Sequence, residues 1–355
     1  MLKFKPILRV RKSLAATIKS VAEMAGVSIK TVSRVINKEG TVKPDTLKRV
    51  EEAITALKYT PNKAARDLAS KGASVLGYVY DNPNAYYIID MQKGILDVCR
   101  KNNFELLIHP CDASSKDIAK ELVDMVDTAK LAGLILSPPL SEMPDVLREL
   151  DDNNINYVRI LSGDGAFDSS LPYVLVNDFK AAFDITQHLI KQGHTHIAFI
   201  AGDEIHKSTI ERFNGYKAAL KDANIPFDES LVIKGTYSFE TGVKSAETIL
   251  AMPSHPSAVF ACNDEIAAGT LFGARMKGVD VPNDLAIAGF ENSPFSRQTF
   301  PPLTTASQPT NEIAQHAAAS LIQFLRAKKA KLPHENLVHT FVPELVVRAS
   351  TEKAS

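Results

Sequence analysis

The 355 residues are 45% hydrophobic, enough for more than one core and too many for a single small domain. No apolar run reaches the roughly 18 residues of a membrane span, and the N-terminus is basic without a secretory apolar region, which points to a cytoplasmic protein with no membrane partner. Three cysteines at wide spacing exclude a disulfide framework and a zinc site, and the zero net charge hides opposite ends: residues 1–72 carry 16 Lys and Arg against 6 Asp and Glu, and the rest carries 25 against 35. A basic segment on an acidic body suits a protein whose one end meets a polyanion.

Residues 1–16, with Lys3, Lys5, Arg9, Arg11 and Lys12, read as a disordered basic extension. From Thr17, an N-cap, the positions Ile18, Val21, Ala22 and Ala25 keep helical spacing. Gly26 ends that helix and Ser28 caps a second, whose apolar face is Val32, Val35 and Ile36. So short a join makes a helix-turn-helix. A third helix, from Pro44 through Val50, Ile54 and Leu57 to near Tyr59, closes an all-α head over residues 17–60. In a helix-turn-helix the start of the second helix meets base edges in the major groove, here Ile29, Lys30 and Arg34. Thr31, Ser33 and Asn37 remain for phosphates.

Residues 61–73, PNKAARDLASKG and the next Ala, read as a two-turn hinge helix bounded by Pro61 and Gly72. Asn62 caps it, Ala65 belongs to a small-residue face, Leu68 projects, and Arg66 is set for phosphate or groove floor. In isolation a solvent-facing linker helix is the favoured reading of the segment.

After Ser74 ten short β-rich runs, from VLGYVY to LTTAS, alternate with stretches of helical period. Strand-helix alternation means parallel sheets covered on both faces, and ten strands divide better into two doubly wound lobes than into one sheet. The expected lobes are 74–176 plus 307–335, and 177–306 plus 336–350. Ligands of such sheets sit beyond the carboxyl ends of strands. There the sequence places Tyr86 and Tyr87, His206, Arg212, Asn263 and Asp264, and Glu291. Arg159 lies inside the apolar run YVRIL, so it faces either the cleft or a carboxylate such as Glu291 or Asp178. Arg159, Arg212 and His206 together would suit a phosphorylated or acidic ligand; a paired Arg159 would leave a neutral one.

The string from Thr17 to Asn37, T-I-K-x-V-A-x-x-A-G-V-S-x-x-T-V-S-R-V-I-N, and its continuation from Thr46 to Leu68 resemble the lactose-repressor family, and the likeness extends to about residue 350. The resemblance implies a periplasmic-binding-protein-like body with a sugar or sugar derivative between its lobes, and a homodimer on a pseudo-palindromic double-stranded DNA operator. It assigns operator choice to Ile29 and Lys30, a base or phosphate contact to Arg34, a minor-groove wedge to Leu68 and effector clamping to Arg212. Ile29 departs from the polar residue often found there and suits a thymine methyl. Glu291 and Asn292 replace two aspartates, which puts the usual effector in doubt, and Ala85 replaces a usual Pro. No nucleophile elbow, phosphate loop, H-E-x-x-H motif or Cys-His metal spacing appears. The reading is therefore a regulator without cofactor or metal; a sugar-binding protein or an enzyme of the same layered architecture is the alternative.

Overall fold

The computed structural model describes residues 16–37, 42–59, 74–163, 171–333 and 338–352. The chain divides into two compact units, residues 1–73 and 74–355. Most of the expected basic extension and the expected hinge, with Asn62, Ala65, Arg66 and Leu68, lie outside the described residues.

The first unit holds α1 (Ile18–Ala25), α2 (Ile29–Asn37) and α3 (Pro44–Ala56). Thr17 Oγ1 accepts the Ser20 backbone N–H at 3.2 Å and Ser20 Oγ accepts that of Thr17 at 3.4 Å, so two donors at the helix start are satisfied reciprocally. Gly26 takes the left-handed conformation, φ 65°, that a side chain would resist, and stops α1. Ser28 Oγ then accepts the Thr31 N–H at 3.1 Å and starts α2. The two caps fix how the helices leave the turn. Val21, Ala22, Ala25, Val32, Val50 and Ala53 are buried together, with Val27, Val35, Ile36 and Tyr59 against them.

The second unit is two lobes. One is a six-stranded parallel sheet in the order β11-β5-β4-β3-β1-β2, made of Val75–Tyr80 (β1), Glu105–Pro110 (β2), Gly133–Leu136 (β3), Tyr157–Ser162 (β4), Tyr173–Val176 (β5) and Val338–Phe341 (β11). Strand alternation sends Leu76, Tyr78, Ile135 and Val158 into the layer under Ala85–Asn102 (α4) and Thr310–Ala330 (α12). Val79, Leu134 and Leu136 go to the opposite layer, under Ile118–Ala129 (α5) and Pro144–Asp152 (α6).

The other lobe is a four-stranded parallel sheet, β7-β6-β8-β9, from Ile197–Ile200 (β6), Val232–Ile233 (β7), Ala258–Ala261 (β8) and Ala286–Ala288 (β9). Asp178–Lys191 (α7) and Lys207–Asp222 (α8) pack together, as do Phe239–Leu250 (α9) and Asp264–Met276 (α10). Gly242 and Gly269 let α9 and α10 approach so closely that a Cβ on either would strike the other's backbone. A short helix, Pro294–Gln298 (α11), follows β9. The antiparallel pair Thr305–Ser307 (β10) and Glu344–Val346 (β12) lies beside it.

One expectation fails here. Residues 338–341 pair with β5, in register Val338 with Tyr173 through Phe341 with Val176, so they belong to the first lobe. The run VHTFVPELVV is two strands because Pro343 has no N–H for a ladder. The chain thus crosses between lobes at Asn177, between Ser307 and Thr310, and between Phe341 and Glu344.

Candidate operator face and effector cleft

On α2, burial separates the side chains cleanly: Val32 is fully buried while Ile29 is 48% exposed and Lys30 and Arg34 are exposed. An exposed apolar side chain beside two cations at the start of such a helix is a surface for base edges and phosphates. The Thr31 hydroxyl bonds that of Ser28 at 2.9 Å. Ser33 is half-buried, Asn37 is the last residue of α2, and Tyr59 packs on the small core.

In the body, a cleft opens between the lobes, at the carboxyl ends of the strands. The first lobe lines it with Asn82, Asn84, Tyr87, Pro138, Ile160 and Ser162; the second with Asp178, His206, Ser208, Arg212, Tyr237 and Glu291, and Gln308 comes from a crossing.

Arg212, on α8, is itself buried. Its Nε donates to Asp178 Oδ1 at 2.8 Å and a terminal nitrogen donates to the Cys262 carbonyl at 2.7 Å, with the guanidinium carbon 3.7 Å from the Phe290 ring centre. Burial opposes its charge, and Asp178 beside it, together with Tyr237, Cys262 and Glu291, more than offsets that, so the group stays cationic. Asp178 opens α7, and its second oxygen accepts the Ser162 hydroxyl at 2.6 Å. The positive charge in the cleft is therefore neutralised by the protein.

Glu291 sits in a left-handed conformation, φ 102°, just after β9. Its Oε2 accepts Asn84 Nδ2 at 2.6 Å, a hydrogen bond from one lobe to the other. Burial pushes its carboxyl up to about 8 against the pull of Arg212. Burial also pushes the Tyr87 phenol up and the His206 imidazole down, which keeps both neutral.

Four expected ligand contacts do not line this cleft. Arg159 stands mid-strand and alternates onto the face under the Leu140–Glu142 turn, where its Nε donates to the Ser141 carbonyl at 2.6 Å. That carbonyl, rather than Glu291 or Asp178, receives this bond. Asn263 caps α10 by accepting the Ile266 N–H at 2.9 Å. Asp264 is fully buried and clasps the far side of the loop after β9, accepting the Thr305 hydroxyl at 2.6 Å and the Ser293 N–H at 2.7 Å; burial pushes it up to about 7. Tyr86 lies in an adjoining groove with Asn292 and Arg297 and meets the Phe295 ring edge-on at 5.7 Å. Tyr87, His206, Arg212 and Glu291 do line the cleft. Reading by residue type missed Asn82, Ser162, Ser208, Tyr237 and Gln308; Asn82, Ser162 and Tyr237 stand at or just after strand ends as the carboxyl-end rule requires, while Gln308 has no local signal. Among the described residues no His, Cys, Asp and Glu cluster could hold a metal, and no helix is long and apolar enough to cross a membrane.

Residues 17–62 match the bacterial regulatory proteins of the lacI family, and residues 186–351 match the periplasmic binding protein-like domain. Catabolite control protein A of Priestia megaterium is 32% identical over 90% of this chain and 96% of its own. A transcriptional regulator CelR–cellobiose complex superposes with a TM-score of 0.71 at 27% identity, covering 94% of this chain and 99% of that one. The lac repressor dimer bound to operator and the anti-inducer ONPF superposes at 0.78 and 24% identity, covering 95% and 99%.

Proposed function

From the premise that this chain belongs to the lacI family of bacterial regulatory proteins, DNA-binding transcription regulators and not enzymes, we propose that it is a homodimeric repressor whose effector is a neutral sugar or sugar derivative held in the interlobe cleft. The observation that carries the neutral ligand is the Arg212–Asp178 pair: the cleft's cation already has its carboxylate, so a phosphate or acid would arrive with no free positive charge to meet it. His206, held neutral, adds none. Asn82, Asn84, Ser162, Ser208 and Gln308 supply donors and acceptors for hydroxyl groups, and Tyr87 a flat face for a ring. The complex of the related CelR regulator with cellobiose supports the same class.

Glu291 and Asn84 come from opposite lobes, so a ligand that touches both binds the closed arrangement better than an open one. Only such a difference shifts an equilibrium. Pairing of two chains is supported by the apolar side chains left exposed on the second lobe, Phe272, Met276 and Phe300. Two heads related by a two-fold axis would read a pseudo-palindromic operator through Ile29, Lys30 and Arg34.

The test is a thermal-shift panel of neutral sugars, sugar phosphates and sugar acids on the full chain, followed by operator titration with any compound that raises the melting point. A neutral sugar should raise it and change operator affinity. Stabilisation by the phosphates or acids alone would overturn the neutral reading.

A further inference from the structure

We infer that the first lobe carries a second phosphate-binding surface, at the end where the chain enters it from the head, and that this surface holds the DNA backbone beside the operator. The proposal rests on the DNA-binding reading above. Helices α4 and α12 run parallel: Asn311 Nδ2 donates to the Asp90 carbonyl at 3.3 Å near one end, and Arg326 donates to the Asn102 carbonyl at 3.5 Å at the other. Their carboxyl ends therefore emerge side by side. From Ile322 to Lys331 the chain carries Arg326, Lys328, Lys329 and Lys331 and no acidic residue, and α4 ends in Arg100 and Lys101. All six are exposed.

The place matters as much as the charge. The Glu105 N–H donates to the Ser74 carbonyl at 2.8 Å, so β1 starts beside the turn that follows Lys101. Ser74 is where the chain arrives from the basic head. Lys328 Nζ reaches Asn156 Oδ1 at 2.6 Å, just before β4, which sets the α12 cations against the same strand starts. Among the described residues the acids at this end include Asp97, Glu105, Asp127, Asp151 and Asp152, and Asp151 is engaged by the Tyr157 hydroxyl at 2.8 Å.

A cation or two at a helix end balances the helix dipole. Six at two adjacent ends exceed that need, on a body with 25 Lys and Arg against 35 Asp and Glu. Fourteen residues, 60–73, join the head to Ser74, and a fully extended chain of that length spans at most about 50 Å. That length bounds how far DNA gripped by the head can lie from Ser74, and phosphate contacts made at this surface, individually weak, would add to the head's own.

The experiment compares the full-length wild type with the triple variant Lys101→Gln, Lys329→Gln, Lys331→Gln and with the same three positions changed to Arg, on operator fragments with long and with trimmed flanks. Binding is followed by anisotropy between about 50 and 200 mM salt, the range over which phosphate contacts are read. The Gln triple should bind long fragments about 10-fold more weakly at 100 mM salt, with a log–log salt slope shallower by roughly 0.9 per lost contact. On trimmed fragments the difference should vanish, and the Arg triple should match the wild type, which separates lost charge from a damaged fold. Wild-type affinity and slope in the Gln triple on long fragments would overturn the surface while leaving the head's binding intact. A wild type that binds no DNA would remove both.

Discussion

On α2 of the head, Ile29, Lys30 and Arg34 face solvent while Val32, on the same helix, is fully buried. In the cleft the side chain that should meet ligand is itself buried: Arg212 is walled in by Asp178, the Cys262 carbonyl and the Phe290 ring. On the proposed reading, the head separates recognition from folding by giving them different faces of one helix, and the cleft makes the same atoms serve both. Mutations should then behave differently in the two places, and three measurements sharpen or break that contrast.

The largest effect is expected for Arg212→Met. It leaves the Asp178 carboxylate buried with only the Ser162 hydroxyl, and removing one partner of a buried pair costs about 3–5 kcal/mol. Denaturant melts should show that loss, and the double variant with Asp178→Leu should recover much of it. A single variant within about 1 kcal/mol of wild type would mean that the pair is not a buried, mutually dependent one.

Next comes pH. An acid whose folded pKa lies above its unfolded value is still protonated in the folded state after the unfolded state has released its proton. The unfolded state then binds fewer protons, and stability falls as pH rises from the ordinary carboxylate range toward the raised value. For Glu291 that window runs from its ordinary value of 4.5 up to about 8. Wild-type stability should drop by roughly 2–4 kcal/mol across it, and Glu291→Gln should flatten the profile, leaving the smaller slope that Asp264 contributes up to about 7. Parallel profiles in the two proteins would place Glu291 in a wetter site.

The smallest change in stability belongs to the head. Lys30→Ala should leave melting within about 0.5 kcal/mol while altering base preference by about 1–3 kcal/mol at one base pair in each half-site, read by selecting binding sequences. An unchanged consensus would remove Lys30 from base reading.

The same contrast explains what was legible from the sequence. In the head every decisive feature is local: Thr17 and Ser28 as caps, Gly26 as the stop, Val32 and Val50 on their helical faces. The strand ends were also visible, and with them Tyr87, His206, Arg212 and Glu291. What a polar residue does there depends on a partner far along the chain. Asp178 was visible as a carboxylate, but its distance from Arg212, 34 residues, carries no signal. Asp264 has the right chemistry for a ligand and uses it on Thr305 and Ser293 instead, while Asn263 gives its oxygen to the Ile266 N–H and leaves its buried amide nitrogen without a partner among the described residues. Arg159 shows why a charge in an apolar strand need not mark a site: the Ser141 carbonyl accepts its Nε, and Glu142 and Asp151 favour its charge. The edge strand Val338–Phe341 was hidden because exposure at three of its four positions weakens the alternation that marks a strand.

The Arg212–Asp178 pair also bears on how this protein can change. Either substitution alone passes through a destabilised chain, while the two together need not, so their effects are strongly non-additive. Natural variation toward a new effector is thus channelled away from the central cation and onto rim positions such as Asn82, Tyr87 and Gln308, where single steps stay foldable. A lineage that did exchange the pair would carry both changes or neither.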